Sequence, residues 1–256
     1  MWVTVTALAF ALPNVLTSSL NFIHEDEVGS KNIAAEINLL WDKVDSLNRN
    51  NQQKEAINLL LNSIAKEHAD SIKHTVLSQI LDFYLTKEVN ESRQKMAQNP
   101  KNASAYLRLA LALNLLGQRF HAQQILLNGI KNNPKVSSLW LKIGMLELES
   151  GRDLEALDVF KEAIRLNHKN GEAYFQAANI FLKKFNKLDS EEILEAKKYA
   201  FKAAFIEPKN ASYLDTLASF HFLSGNMEEA RLLINKAIEL APEERSFKEK
   251  LDRFND

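Results

Sequence analysis

The chain has 256 residues, 46% of them apolar and 25% charged, which suffices for a sizeable core in a globular protein. Thirty-two basic against thirty-three acidic side chains leave a formal net charge of −1, which argues against a polybasic nucleic-acid binder. With no cysteine, disulfides, thiolate metal sites and cysteine nucleophiles are excluded, and seven glycines with five prolines are too few for a turn-rich all-β chain.

Taken in chain order, residues 1–30 read as an apolar leader followed by a polar linker. No charged side chain occurs between Trp2 and Ile23, Val3–Leu12 is an apolar run, and Ala9-Phe10-Ala11 resembles a signal-cleavage triplet. No Lys or Arg precedes the run, which speaks against a secretory signal, and Pro13 and Asn14 after it speak against a stable membrane span. The reading favours export, to a periplasm or onto a membrane anchor, with a cytoplasmic lead-in helix as the alternative. Membrane contact is expected only through residues 1–23, if they are uncleaved. Glu25–Gly29 reads as the linker.

Residues 31–102 have helical periodicity. Ile37–Asp70 fits a helix-pair template through Leu40, Val44, Leu47, Ala56 and Leu60, and Ser71–Asn102 is about as long but holds Glu88 and Lys95 where small residues are expected. Both segments are expected to be degenerate repeat units.

The repeat is clear from residue 103 onward. Pro100 and Pro134 lie 34 residues apart, as do Pro208 and Pro242, and Gly117 and Gly151 keep the same interval. A fixed period of this length with helical patterning inside it signals stacked helix pairs. The units are 103–136, 137–170, 171–210 with six extra residues, and 211–244. In the first helix of each, Tyr106/Leu109/Ala110, Trp140/Ile143/Gly144, Tyr174/Ala177/Ala178 and Leu214/Leu217/Ala218 recur in phase. In the second, small residues recur at Ala122, Ala156, Ala196 and Ala230, and seven positions later at Gly129, Ala163, Ala203 and Ala237. A helix pair cannot bury both faces alone, so it stacks on the next, and small residues let the backbones approach. Gly117, Gly151 and Gly225 fall where a first helix should end in left-handed geometry. Asp189 with Glu192, and Asn226 with Glu229, have the spacing of capping boxes. The amphipathic tail 245–256 is expected to be a helix capping the stack.

These residues resemble the tetratricopeptide repeat, with Trp140, Ile143, Gly144, Ala156, Phe160 and Ala163 matching best; His168 stands where proline is usual and Glu147 where an aromatic is usual. The resemblance implies an all-α fold, a right-handed α-α superhelical solenoid of such helix pairs. It also implies that fixed first-helix positions line a concave face: Leu107, Arg108, Leu111 and Leu115; Leu141, Lys142, Met145 and Leu148; Phe175, Gln176, Asn179, Leu182 and Lys183; then Asp215, Thr216, Ser219, Phe222 and Leu223. The carboxylate-clamp variant is not expected, because the matching positions hold Leu111, Lys142, Glu172 and Gln176.

An apolar strip edged by charge suits a protein partner, as an extended segment or an amphipathic helix. The leading expectation is a non-catalytic interaction scaffold whose partner is another protein or peptide, set in an envelope assembly or secretion complex if the leader is cleaved. Self-assembly through the same groove is the first alternative, and an enzyme with a site in 37–102 the second. The scattered histidines never pair at i, i+4, no phosphate-cradling glycine loop or nucleophile elbow occurs, and Glu191/Glu192 and Glu228/Glu229 sit at helix starts. No metal, cofactor or nucleic acid is expected.

Overall fold

The computed structural model describes residues 27–50, 52–67 and 72–255. The apolar leader lies outside them, as do Glu25 and Asp26. The described residues form twelve α-helices and one 3-10 turn, with no strand, an all-α helical repeat fold. The chain divides between Glu91 and Ser92 into two compact units.

The first unit contains α1 (Glu27–Arg49), α2 (Gln53–Ala65) and most of α3 (Ile72–Gln98). Ile37 and Val44, one heptad apart on α1, are buried, as are Ala56, Ile57 and Leu60 of α2 and Val76, Leu77 and Ile80 of α3. Two sequence expectations need correction. The linker at Glu25–Gly29 is part helix, since α1 starts at Glu27 and runs through Gly29; one glycine inside a helix costs only about 1 kcal/mol and does not end it. Nor is 71–102 a helix pair, because α3 is one unbroken helix of 27 residues. No Gly or Pro interrupts Ile72–Gln98, so nothing stops the first turnings before Asn99-Pro100.

In the second unit the repeat is regular. Helices α4 (Ala103–Leu115), α6 (Ser137–Glu149), α8 (Gly171–Lys183) and α10 (Ala211–Leu223) have 13 residues each. Their partners α5 (Arg119–Asn132), α7 (Asp153–Leu166) and α11 (Met227–Leu240) have 14, and α9 (Ser190–Ile206) has 17. The helix α12 (Arg245–Asn255) follows. The six extra residues of the third unit are shared: three lengthen α9, and three lengthen the connector, which coils into a 3-10 turn at Phe185–Lys187.

The short connectors turn on glycine. Gly117, Gly151 and Gly225 have φ of +74°, +75° and +79°, and the amides after them, Gln118, Arg152 and Asn226, donate to the carbonyls of Leu113, Glu147 and His221 at 2.8–2.9 Å. This six-to-one bond satisfies a carbonyl that the helix end would otherwise orphan. The chain leaves that turn with ψ near 50–75° at Gln118, Arg152 and Asn226, and none of the three caps its helix with a side chain. The expected capping box at Asn226 is therefore absent, whereas Asp189, following the longer connector in extended geometry, forms the full box with Glu192.

Three of the four first helices are capped by asparagine, while α6 follows Val136 without a side-chain cap. Asn102, Asn170 and Asn210 accept from the amides of Ala105, Ala173 and Tyr213. The aromatic at the fourth helical position then explains the proline phase. Tyr106 Oη donates to the Pro100 carbonyl at 3.1 Å, and Trp140 Nε1 to the Pro134 carbonyl at 3.0 Å. Proline ends the preceding helix, and the aromatic six residues later ties the connector down.

The small positions are contact positions. Ala156, Ala163, Ala173, Ala177, Ala178, Ala196 and Ala203 are essentially inaccessible. A Cβ on Gly144 would stand 2.5 Å from the Phe160 ring, itself fully buried, so here a first helix rests directly on the aromatic of the second. Burying one such ring contributes roughly 1.5–3 kcal/mol. The core continues without a break from Ala156 on α7 to Phe254 on α12. Glu147, where the resemblance leads one to expect an aromatic, is buried and accepts from Gln123 Nε2 at 2.5 Å while pairing with Arg152.

Candidate protein-binding groove

Because each first helix is 13 residues long and starts at the same phase, residues 5, 6, 9 and 12 or 13 of α4, α6 and α8 recur on matching faces. All twelve residues singled out on these helices, Leu107 to Leu182, are half-buried, neither in the core nor fully in solvent. The structure brings eight of them together in two depressions. The first, of about 80 Å³, lies between α4 and α6 and is lined by Leu107, Leu111, Lys142 and Met145, with Ala110, Leu126 and Leu146 deeper and Asn114 and Glu149 at its edge. The second, of about 380 Å³, lies between α6 and α8 and is lined by Leu148, Gln176, Asn179, Leu182 and Lys183, with Ile180 deeper. Arg108, Leu115, Leu141 and Phe175 line neither.

The two depressions differ in chemistry. Around the first, the apolar side chains have polar groups only at the margin. Lys142 Nζ lies 3.4 Å from Met145 Sδ, so the ammonium caps the thioether and its stem covers apolar surface. Asn114 Nδ2 donates to Glu149 at 3.2 Å, and Arg119 pairs with the same carboxylate at 3.2 Å. Of these edge residues Glu149 is legible in the sequence as an acidic neighbour of the strip, whereas Asn114 is not, since its role depends on the stacking of α4 on α6.

From α8 onward several first-helix positions are engaged in contacts within the protein. Phe175 lies against Tyr213 with ring centroids 4.7 Å apart. Gln176 Nε2 donates to Glu172 at 2.6 Å, and Tyr213 Oη to the other oxygen of Glu172 at 2.9 Å. Burial, then the Glu172 carboxylate, pushes the Tyr213 phenol well above its ordinary range, so it stays a donor. Thr216 Oγ1 donates to Asn179 Oδ1 at 3.1 Å. On α10 the expectation of an open face is corrected: Thr216 and Ser219 are buried, Lys250 of α12 pairs with Asp215 at 2.6 Å, and Phe254 stacks on Phe222 at 4.4 Å. Helix α12 starts 34 residues after Ala211, where the first helix of a fifth unit would start, and engages those side chains, while Leu223 of α10 stays exposed.

Chemistry elsewhere is sparse. In the first unit a depression of about 170 Å³ is lined by Glu36, Ser63, Lys66 and Glu67 among apolar residues. The Ser63 hydroxyl donates to its own helix, to the Leu59 carbonyl at 2.8 Å, rather than to a base. Among the described residues no three His, Asp or Glu side chains are placed to hold a metal ion, and no helix is long and apolar enough to cross a membrane.

Stacked pairs of this length, with glycine-turned connectors and small residues at the crossings, make up a helical-repeat fold of tetratricopeptide type. Residues 211–244, the fourth unit, match the tetratricopeptide repeat family. Among curated proteins, protein O-mannosyl-transferase TMTC1 of Mus musculus is 25% identical over 154 residues, which cover 58% of this chain and 16% of that protein. The activity in its name belongs to a protein of which the present chain spans only that small part. Among solved structures, MamA from residue 41 to its end, of Desulfovibrio magneticus RS-1, aligns with a TM-score of 0.52 at 18% identity, covering 60% of this chain and 83% of that one. YrrB, described as a tetratricopeptide repeat protein with an unusual peptide-binding site, aligns with a TM-score of 0.51 at 16% identity, covering 75% and 96%. At these identities the likeness establishes the fold.

Proposed function

We propose that the protein is an interaction scaffold whose first-helix face, over α4 and α6, receives an apolar or amphipathic segment of another protein. The observation that carries this reading is the depression between α4 and α6, where Leu107, Leu111 and Met145 remain half-exposed while the equivalent positions on α8 and α10 are spent on internal contacts. The peptide-binding site named for YrrB supports the same use of the fold. The backbone around the site is held by the stacking, so a partner meets a preorganised surface and the ordering cost falls mainly on the partner. Apolar burial supplies most of the affinity, at roughly 25 cal/mol per Å² before the costs of association. Arg108, Lys142 and Glu149 then set the direction of the bound segment by charge. An envelope assembly or secretion complex is the proposed setting if the apolar leader directs export.

Selection of displayed peptides on the immobilised full chain, followed by titration of the enriched sequences, tests the reading. The double variant L111E/M145E is expected to keep the circular dichroism and melting of the parent and to lose peptide affinity by on the order of 100-fold, as removal of two central anchors implies. Peptides that bind parent and variant alike would place the site elsewhere.

A further inference from the structure

The two depressions on the first-helix face differ in what their walls can bind. Between α4 and α6 the walls are Leu107, Leu111 and Met145, over a floor of Ala110, Leu126 and Leu146. A closed cavity of about 150 Å³ takes a benzene ring, so the volume of about 80 Å³ here suits one aliphatic side chain. Between α6 and α8 half of the lining is polar, with Gln176, Asn179 and Lys183 beside Leu148, Ile180 and Leu182. Lys183 pairs with Asp153 at 3.5 Å, so this wall carries little net charge.

The two amides of that wall are oriented from behind. Gln176 Nε2 donates to Glu172 at 2.6 Å, and the second oxygen of Glu172 accepts from Tyr213 Oη at 2.9 Å. The carboxylate is held on both sides, and Gln176 keeps its Oε1 as an acceptor. Asn179 Oδ1 accepts from the buried Thr216 at 3.1 Å, and Asn179 keeps its Nδ2 as a donor. Residues three apart on a helix share a face, and both amides are half-buried in the same wall. An oriented acceptor and an oriented donor side by side match the N–H and C=O of a peptide backbone. A helix laid in the groove would have spent those groups on itself. Its apolar stripe, recurring every three or four residues, would also press apolar side chains against the amides. An extended segment has its backbone groups to offer and needs partners for them once they leave water.

We infer that the occupant of the groove is an extended segment of another protein, with one aliphatic side chain between α4 and α6 and its backbone held by Gln176 and Asn179 beyond α6. The inference rests on the proposal that the first-helix face receives a partner, and adds the conformation of that partner and the residues that read it. The depressions flank α6, and a helix is about 10 Å wide. That width equals about three residues of extended chain, at about 3.3 Å each, but nearly seven residues of a helix, at about 1.5 Å each. The partner therefore needs an aliphatic residue at one place and, about three residues away, an unblocked backbone that tolerates most side chains.

The probe is the most enriched linear peptide from a random displayed library selected on the immobilised full chain, synthesised and titrated by fluorescence anisotropy. Alanine in place of its aliphatic anchor is expected to cost at least about tenfold in affinity. N-methylation scanned along the peptide is expected to cost about 3- to 10-fold at about three residues from the anchor, where alanine is tolerated. Q176A and N179A are each expected to cost a similar factor, and in Q176A the N-methyl group is expected to add little, since its acceptor is gone. Transferred nuclear Overhauser effects are expected to be strong between each α proton of the bound peptide and the following amide. The N-methyl scan alters only the peptide, so it stands whatever the variants do to folding. A helical bound peptide, a scan with no sensitive position near the anchor, or an N-methyl penalty equal in Q176A and parent would overturn the inference while the groove stands. A library that yields no binder, or only peptides indifferent to L111E/M145E, would overturn the proposal beneath it and the inference as well. So would a dimer of the full chain that L111E/M145E dissociates in sedimentation equilibrium, because it would seat a second copy in the groove.

Discussion

Gly144 offers a quantitative test of how the repeat is held together. Replacing it with alanine in an isolated helix stabilises, by about 1 kcal/mol, because glycine has more backbone freedom to lose. Here the added methyl would lie 2.5 Å from Cε1 and 2.7 Å from Cδ1 of Phe160. The ring has 0% exposure and is packed among buried alanines of α7 and α8, so it has no free volume into which to retreat. Overpacking of this kind costs about 1–3 kcal/mol. Taking the middle of that range, the clash outweighs the propensity gain, and G144A is expected to destabilise the chain by about 1 kcal/mol, lowering the melting midpoint by about 3 °C for a chain of this size. Far-ultraviolet circular dichroism against temperature and urea measures it. The double variant G144A/F160L removes the ring that the methyl meets, so its loss is expected to be smaller than the sum of the two single losses. G151A is the control: its Cβ meets nothing within 4 Å, and its cost arises only from φ of +75°. A G144A protein as stable as the parent would refute the close approach of α6 to Phe160 and the reason given for small residues at this position.

Further outcomes follow from other contacts. R152A leaves the buried Glu147 carboxylate with only Gln123, and is expected to cost more than E147L, which removes the charge altogether and fills the usual aromatic position; chemical denaturation of the two variants compares them. N170A removes the cap of α8 and the donor to Ser137, whose hydroxyl holds the Ala163 carbonyl at 2.8 Å, with an expected loss of about 1–2 kcal/mol by the same assay. Burial, then nearby Lys197, holds the His221 imidazole below its ordinary range, although Glu229 opposes this, and its Nδ1 is buried without a partner. The folded state thus binds the proton less readily than the unfolded one. The contribution is fully present above the unfolded value near 6.5 and is lost as the pH falls through the lower folded value. Thermal midpoints between pH 7 and pH 5 are expected to fall less in H221Q than in the parent.

The local grammar of the fold is legible in the sequence because it is set by short-range physics. Only glycine adopts φ near +75° freely, so Gly117, Gly151 and Gly225 announce the ends of first helices. Proline cannot continue a helix, and small residues at a 34-residue period mark the crossings. The same grammar misleads where a signal is missing or redundant. Ser71–Asn102 has the length of a degenerate repeat unit although nothing between residues 72 and 98 stops a helix, and Asn226 has capping-box spacing although the glycine turn before it sets a backbone geometry without a side-chain cap.

The groove was legible only as a register, since position along a repeated helix determines which face a residue shares with its counterparts. That Leu111 and Met145 stay half-open while Phe175 leans on Tyr213 and Asp215 holds Lys250 was decided by tertiary contacts. Those contacts join residues 35 to 41 positions apart, or a repeat to the helix α12 that follows it, and no periodicity within one helix encodes them. Sequence fixes which residues recur on a face; the packing of neighbouring repeats decides how much of that face is left for a partner.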